Sequence, residues 1–338
     1  MAFLSQNAFF LALRMAGLIS AILALLFVLN NFLIFGFDAP GVINTLRLGD
    51  MLGVAQPKQG YALGLTAIGI IQTTLVGLLV AFAIRHCFKT NNLRNDANWM
   101  DNTSAYIVRL AFWAVLLVGV ADAVLSFMRV EGFHTVLFGD AGGAAIALPS
   151  QRGLLVHIPL ILLSGLIAIK EKSVSLVWLT LLVVVAEFLI VVARFIYGYE
   201  QTFMGDLVRF WYAALFLFAS AYTLKEDGHV RVDVLYAGLT RRTKSILNII
   251  GTVFFGIPLC WLVLTRGMWG KSSLINSPMM NFETSMSGFG MYVKYLMAAF
   301  LVVFALSMLF QFTAYLLGSL ADIEENAVDE EAAEGVVT

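Results

Sequence analysis

Two acidic residues, Asp122 and Glu187, interrupt long apolar stretches, and each is followed seven residues later by an arginine, Arg129 or Arg194. A charged side chain at the centre of a bilayer costs about 2.5–3.5 kcal/mol to insert, so such residues usually have a partner and a function. Seven residues of helix correspond to about 10 Å along the axis and about 20° around it. Each acid and its arginine therefore share a helix face but are too far apart for an ideal contact.

Two interpretations of these acids are compatible with the sequence. Either each acid is protonated or hydrogen-bonded to a neighbouring helix of the same chain, or the two faces form a contact stripe for a second subunit. On the second hypothesis, at least Glu187 pairs with a basic or hydroxyl group of that subunit. Arg129 and Arg194 lie at the outer ends of their helices, from which their side chains can reach the lipid headgroups.

No catalytic, cofactor-binding or metal site is predicted. The sequence has no Gly-x-Ser-x-Gly motif, no His-Glu-x-x-His motif and no glycine loop of the phosphate-binding kind. Its histidines are scattered, and His134 and His157 lie near one predicted membrane face without a second deep histidine to complete a haem site. Two cysteines, Cys87 and Cys260, are too few for a disulfide framework. A net charge of −1 gives no indication of nucleic-acid binding.

The composition is that of a membrane protein. Of the 338 residues, 60% are hydrophobic and 13% are charged, whereas soluble domains carry roughly 25% charged residues. A bilayer core of about 30 Å requires about 20 apolar residues in helical conformation. The sequence therefore predicts an all-α, polytopic transmembrane helix bundle with about eight spans. The predicted spans are 8–36, 61–84, 105–128, 153–169, 174–197, 207–224, 245–267 and 291–320.

The distribution of lysine and arginine predicts the orientation of these spans. The loops after the second, fourth and sixth spans are about twice as rich in these residues as the alternate loops, in which Arg129 and Arg152 are counted. The richer loops should be cytoplasmic, and both termini with them. The segment 321–338 is strongly acidic and poor in apolar residues, so we expect a disordered cytoplasmic tail.

One internal similarity links the two halves of the chain. Trp113–Arg129 aligns without gaps on Trp178–Arg194, which places Asp122 on Glu187. Both helices have the same predicted orientation, as a parallel repeat requires. Partial duplication and coincidence are both compatible with the match.

Residues from about 175 to 318 contain several motifs at characteristic positions around the helices. His229-Val230-Arg231-Val232-Asp233 lies in the basic loop after a membrane helix and precedes a leucine-rich stretch and a basic cluster. The other motifs are Arg194-Phe195, Arg209-Phe210, Gly267-Met268-Trp269 and Ser277-Pro278. With this spacing, the region resembles the small membrane (Q) subunit of tripartite ATP-independent periplasmic (TRAP) transporters. The family usually has two acids before its second helix, where this chain has Gly205-Asp206-Leu207, and it is often about half as long.

The resemblance implies three parts and a function. Residues 1–172 would be an N-terminal transmembrane extension of about four helices, 173–320 a Q-like four-helix membrane domain, and 321–338 the acidic tail. The system would be a sodium-coupled transporter for a carboxylate-type solute in the bacterial inner membrane. A periplasmic solute-binding protein would capture the solute, a large multi-span M permease subunit would move it, and the Q subunit would serve as the membrane scaffold partner of M. It implies no enzymatic activity and no cofactor.

The candidate residues are assigned to a partner interface or to a structural role. They are Glu187, Arg194, Arg209, His229, Arg231, Asp233, Asp122 and Arg129. For the loop motif, a solvated loop in which Asp233 caps an interfacial helix is compatible with the same residues. Two other functions stay open: a membrane-anchor subunit of an oxidoreductase, which would need paired histidines at haem depth, and an autonomous carrier, which would need a complete polar pathway of its own.

Overall fold

A computed structural model describes the backbone of residues 2–48, 62–90, 92–172, 177–225, 236, 238–285 and 289–337, and the side chains of those between residues 8 and 325. Within these ranges all regular structure is helical. The helices are α1 (Ala2–Phe37), α2 (Val42–Thr45), α3 (Leu63–Lys89), α4 (Leu93–Val130), α5 (Phe133–Ile146), α6 (Pro149–Lys170), α7 (Val177–Ile196), α8 (Thr202–Lys225), α9 (Arg241–Met268), α10 (Asn276–Met280) and α11 (Lys294–Val337).

Eight of these helices are long and apolar enough to cross a membrane, namely α1, α3, α4, α6, α7, α8, α9 and α11. Each coincides with one predicted span, so the prediction of an all-α polytopic bundle is confirmed. The helices extend beyond several predicted limits because polar residues at their ends keep helical geometry. For example, α9 begins at Arg241 rather than at residue 245, after Thr240 accepts a hydrogen bond from the backbone N–H of Thr243 at 3.3 Å.

Two of the spans, α6 and α9, contain a π-helical turn just before a proline. The turns are Gly153–His157 and Thr252–Gly256, and Pro159 and Pro258 follow each at the same distance. Proline lacks the N–H that an α-helix requires at this position, and its ring clashes with the carbonyl one turn earlier. A wider turn accommodates both effects, and such turns often occur at functional positions.

The acidic tail differs from its prediction. Helix α11 continues to Val337 without a break, so the described part of the tail is helical rather than disordered. Alanine and glutamate, which are frequent here, have high intrinsic helix propensity. Near the start of the tail, Asp322 accepts hydrogen bonds from Arg94 at 2.8 Å and from Arg241 at 3.1 Å. These ion pairs fix the part of α11 from which the tail continues.

The chain divides into two compact units, each of which is discontinuous in sequence. One unit comprises residues 1–102, 229–269 and 308–338, and the other comprises 103–228 and 270–307. Each unit therefore combines residues from the N-terminal and C-terminal halves of the sequence. In the second unit an aromatic core that includes Phe210, Phe218 and Phe300 packs against α4, where the indole N–H of Trp211 donates to the carbonyl of Val115 at 3.2 Å.

Candidate functional site

A buried polar network in the second unit is centred on Asp122 in α4. Its carboxylate is completely buried and accepts hydrogen bonds from Arg152 at 3.0 Å, from His157 at 3.1 Å and from the backbone N–H of Tyr292 at 2.7 Å. Arg152 also donates to the hydroxyl of Ser126 at 3.2 Å. An isolated charge would be very costly at this depth, and these three donors to its carboxylate are what permit Asp122 to be buried.

The π-helical turn of α6 explains how Arg152 and His157 reach the same oxygen of Asp122. In an α-helix, side chains five residues apart point about 140° away from each other. A π-helical turn pairs residues i and i+5, and here it brings both side chains onto one side of α6. Gly153 allows the ring of Phe282 to pack closely against this turn, because a Cβ atom there would lie 2.6 Å from that ring.

His157 uses both of its ring nitrogens within this network. Its Nε2 lies 3.1 Å from a carboxylate oxygen of Asp122, and its Nδ1 lies 2.7 Å from the hydroxyl oxygen of Tyr295. A carboxylate only accepts, so Nε2 carries a hydrogen, and Nδ1 forms a hydrogen bond with the hydroxyl of Tyr295. Neither nitrogen is available to coordinate haem iron. Among the described residues, no group of three or more His, Cys, Asp or Glu side chains is arranged to hold a metal ion.

Two arginines flank the aromatic ring of Tyr292. The guanidinium carbons of Arg129 and Arg152 lie 4.4 Å and 4.2 Å from the ring centroid, within the range of cation–π attraction. Arg129 also donates to the carbonyl of Gly290 at 2.7 Å, so it is held by the polypeptide rather than extended freely to the membrane surface. Arg152, counted with the outer-loop charges in the sequence, belongs to α6 and is completely buried. Arg152 therefore does not count as an outer-loop charge, because its pairing with Asp122 holds it inside the helix bundle.

Glu187, the second acid of the internal similarity, lies in a different environment. It is exposed on α7, and within the described residues its side chain has no hydrogen bond or ion pair. The neighbouring Ala186 is buried, with 3% of its surface exposed. The helix face that carries Glu187 is therefore turned away from the described helices that pack on α7.

The other candidate residues on α7 and α8 are exposed and form local ion pairs. The side chain of Arg194 is 61% exposed and lies 3.3 Å from Glu200, and that of Arg209 is 73% exposed and lies 3.3 Å from Asp206. Asp206 is buried and accepts hydrogen bonds from Ser285 at 2.9 Å and from the backbone N–H of Met291 at 3.0 Å. It therefore fixes the loop before α11. His229, Arg231 and Asp233 lie outside the described residues.

A comparison with protein families identifies the C-terminal part of the chain. Residues 176–320 match the model of the DctQ component of tripartite ATP-independent periplasmic transporters. The chain contains a DctQ domain. This domain includes α7, α8, α9 and most of the membrane-spanning part of α11, so the resemblance predicted for this region is confirmed, and the DctQ family is a transporter component rather than an enzyme family. Neither the curated proteins nor the solved structures compared with the chain match it.

The buried network joins the DctQ domain to the residues that precede it. Asp122, Arg152 and His157 belong to the preceding half of the chain, whereas Tyr292 and Tyr295 belong to the DctQ domain. Sequence reasoning noted Asp122 but missed the others as its partners. The separations of 30, 35 and 170 residues follow no periodicity. The only local signal was Arg152 at the edge of an apolar span, next to Gly153.

The first compact unit contains a second set of contacts between the same two parts of the chain. The indole N–H of Trp261, in the DctQ domain, donates to the hydroxyl of Ser20 at 2.7 Å. Arg94 donates to Asp322 at 2.8 Å and to Glu325 at 2.7 Å. In both units, therefore, the preceding helices pack against helices of the DctQ domain instead of folding separately.

Proposed function

We propose that the chain is the small permease subunit of a sodium-coupled, binding-protein-dependent TRAP transporter for a carboxylate-type solute in the bacterial inner membrane. In this role it is the scaffold partner of the large M subunit, and a periplasmic solute-binding protein delivers the solute. The observation that carries the proposal is the DctQ match over residues 176–320, which includes the last four spans.

The use of the buried charges supports a scaffold role. Arg14 is 2% exposed and donates to Asp96 and to the carbonyls of Cys87 and Thr90. Asp122 is likewise satisfied within the chain. A transport pathway needs polar groups that are available to the solute and the ion. The charges of these two networks instead hold helices together.

The N-terminal helices extend this scaffold under the same proposal. Residues 1–172 contact the DctQ domain through Asp122 in one unit and through Ser20 and Arg94 in the other. An additional layer of helices packed in this way enlarges the membrane-embedded surface of the subunit. We propose no separate transport activity for it.

Reconstitution tests the proposed function. The chain, its candidate large permease subunit and a solute-binding protein are purified and incorporated into proteoliposomes, and sodium-driven uptake of radiolabelled organic acids is measured. We expect uptake only when all three are present. Uptake by this chain alone would indicate an autonomous carrier, and a haem absorption spectrum in the purified chain would indicate an oxidoreductase anchor.

A further inference from the structure

Helix α7 has an exposed stripe with a carboxylate at its centre. Exposed side chains recur at the helical spacing of i, i+3, i+4, i+7 and i+11. We call this the Glu187 stripe, and it consists of Val184, Glu187, Phe188, Val191 and Phe195. Only 11% of the most apolar 18-residue segment of α7 is buried. This is the smallest buried share among the eight spans of the described residues.

The depth of Glu187 distinguishes this stripe from an ordinary lipid-facing surface. It lies ten residues from the first residue of α7 and nine from the last, which is roughly 15 Å and 13 Å along the axis. A glutamate side chain is too short to reach the headgroups from that depth. Lipid tails offer no hydrogen-bond donor, and an unpaired carboxylate there is strongly unfavourable.

Within the part of the chain that the structure describes, the two acids of the internal similarity differ, since one has hydrogen-bond partners and the other has none. Asp122, at the corresponding position of α4, has partners in Arg152, His157 and Tyr292. Glu187 has none within the described residues. A donor on a neighbouring molecule would satisfy Glu187 at this depth.

We propose that the large permease subunit docks on the Glu187 stripe and supplies a basic or hydroxyl donor to Glu187 at mid-membrane depth. This inference rests on the proposed function and names the surface that performs it. A second copy of this chain is a poor occupant, since a two-fold contact centred on the stripe would bring two Glu187 carboxylates together. A membrane helix with an apolar face and one cation or hydroxyl is complementary to the stripe in both polarity and charge.

Two substitutions separate the charge of Glu187 from its size. Glu187→Gln keeps the shape and most of the hydrogen-bonding capacity, whereas Glu187→Leu removes the polar group. Because Glu187 is exposed and has no hydrogen bond or ion pair among the described residues, both variants should express and melt like the wild type. With the tagged full-length chain coexpressed with the large subunit, we expect Glu187→Leu to reduce the copurified large subunit about tenfold or more, as the loss of a buried charged hydrogen bond requires. Glu187→Gln should reduce it less.

A photo-crosslinking residue provides the matched control. Phe188 on the stripe and Leu78 on α3 are 63% and 64% exposed, so a crosslinker at either position is equally accessible. We expect crosslinks to the large subunit from position 188 and lipid adducts from position 78.

Each alternative outcome has a separate meaning. If the wild type copurifies the large subunit and Glu187→Leu does so equally well, the docking inference is wrong and the proposed function stands. Crosslinks from position 188 to a second copy of this chain would also overturn it. If the wild type fails to copurify any large subunit, the proposed function fails and the inference with it.

Discussion

Asp122 and Arg152 form an ion pair at 3.0 Å in which neither side chain is exposed. Asp122 lies in α4 and Arg152 at the start of α6, and Tyr292 of the DctQ domain binds both, by its backbone N–H and by its ring. A buried pair of this kind contributes less to net stability than to the choice of which helices pack together, and breaking it by removing one partner is costly. We interpret the pair as the junction that aligns the N-terminal helices with the DctQ domain.

The first prediction concerns the stability of this junction. Asp122→Leu and Arg152→Met should each lower the free energy of unfolding by about 3–5 kcal/mol, because each leaves a buried charge without its partner. The double variant should cost less than the sum of the single variants. Thermal stability in detergent, followed by size-exclusion chromatography of the fluorescently tagged protein, measures both effects.

Arg194→Gln is the control for this comparison. The Arg194–Glu200 pair is 3.3 Å long and more than half exposed on both sides, and such pairs contribute about 0–1 kcal/mol. Its removal should leave the melting temperature nearly unchanged. An Asp122→Leu variant as stable as Arg194→Gln would show that the buried pair does not hold the helices together.

The second prediction concerns the proline that follows the π-helical turn of α6. Replacing a helix-interior proline by alanine normally favours the helix, by about 3 kcal/mol on intrinsic scales. Pro159→Ala should nevertheless destabilise the protein, because an α-helical turn would move Arg152 and His157 apart by about 140° and only one of them could bind Asp122. Pro258→Ala is the matched control, since no charged residue lies within the π-helical turn of α9. A gain in melting temperature for both variants would contradict the role assigned to the turn.

The third prediction compares two arginines of the first compact unit. Arg14 is 2% exposed and Arg94 is 43% exposed at the side chain, and each pairs with carboxylates. Arg14→Gln should destabilise the protein strongly, because the largely buried carboxylate of Asp96 would lose its guanidinium partner. Arg94→Gln should have a small effect that disappears in about 1 M salt, where exposed charges are screened beyond about 3 Å. Melting temperatures of both variants at low and high salt test this, and equal losses would contradict it.

The fourth prediction concerns orientation in the membrane. The native cysteines, Cys87 and Cys260, are both buried, so a single introduced cysteine reports its own location. A membrane-impermeant thiol reagent applied to intact cells should label Ser272→Cys and leave Asn92→Cys unlabelled, because the charge bias places residue 92 in the cytoplasm. Labelling of both positions, or of Asn92→Cys alone, would show that the orientation is wrong.

The sequence alone determined the spans and the family segment. A run of about 20 apolar residues has few stable conformations in lipid other than a helix, so composition and length locate all eight spans. The spacing of the motifs around residues 194, 209 and 229 was sufficient to recognise the Q-type region. The tail was predicted to be disordered and is helical in its described part, although its alanine and glutamate content already favours a helix.

Only the tertiary structure decided what each membrane acid does. Asp122 and Glu187 occupy equivalent positions in a gapless alignment, yet one is buried against Arg152 and the other is exposed. Local sequence fixes the helix face on which an acid lies, but the partner on that face depends on which helices pack there. The packing of these helices depends on contacts between residues 30 to 170 positions apart in the sequence. As a result, Asp122 stabilises this chain, whereas Glu187 is exposed and accessible to another molecule.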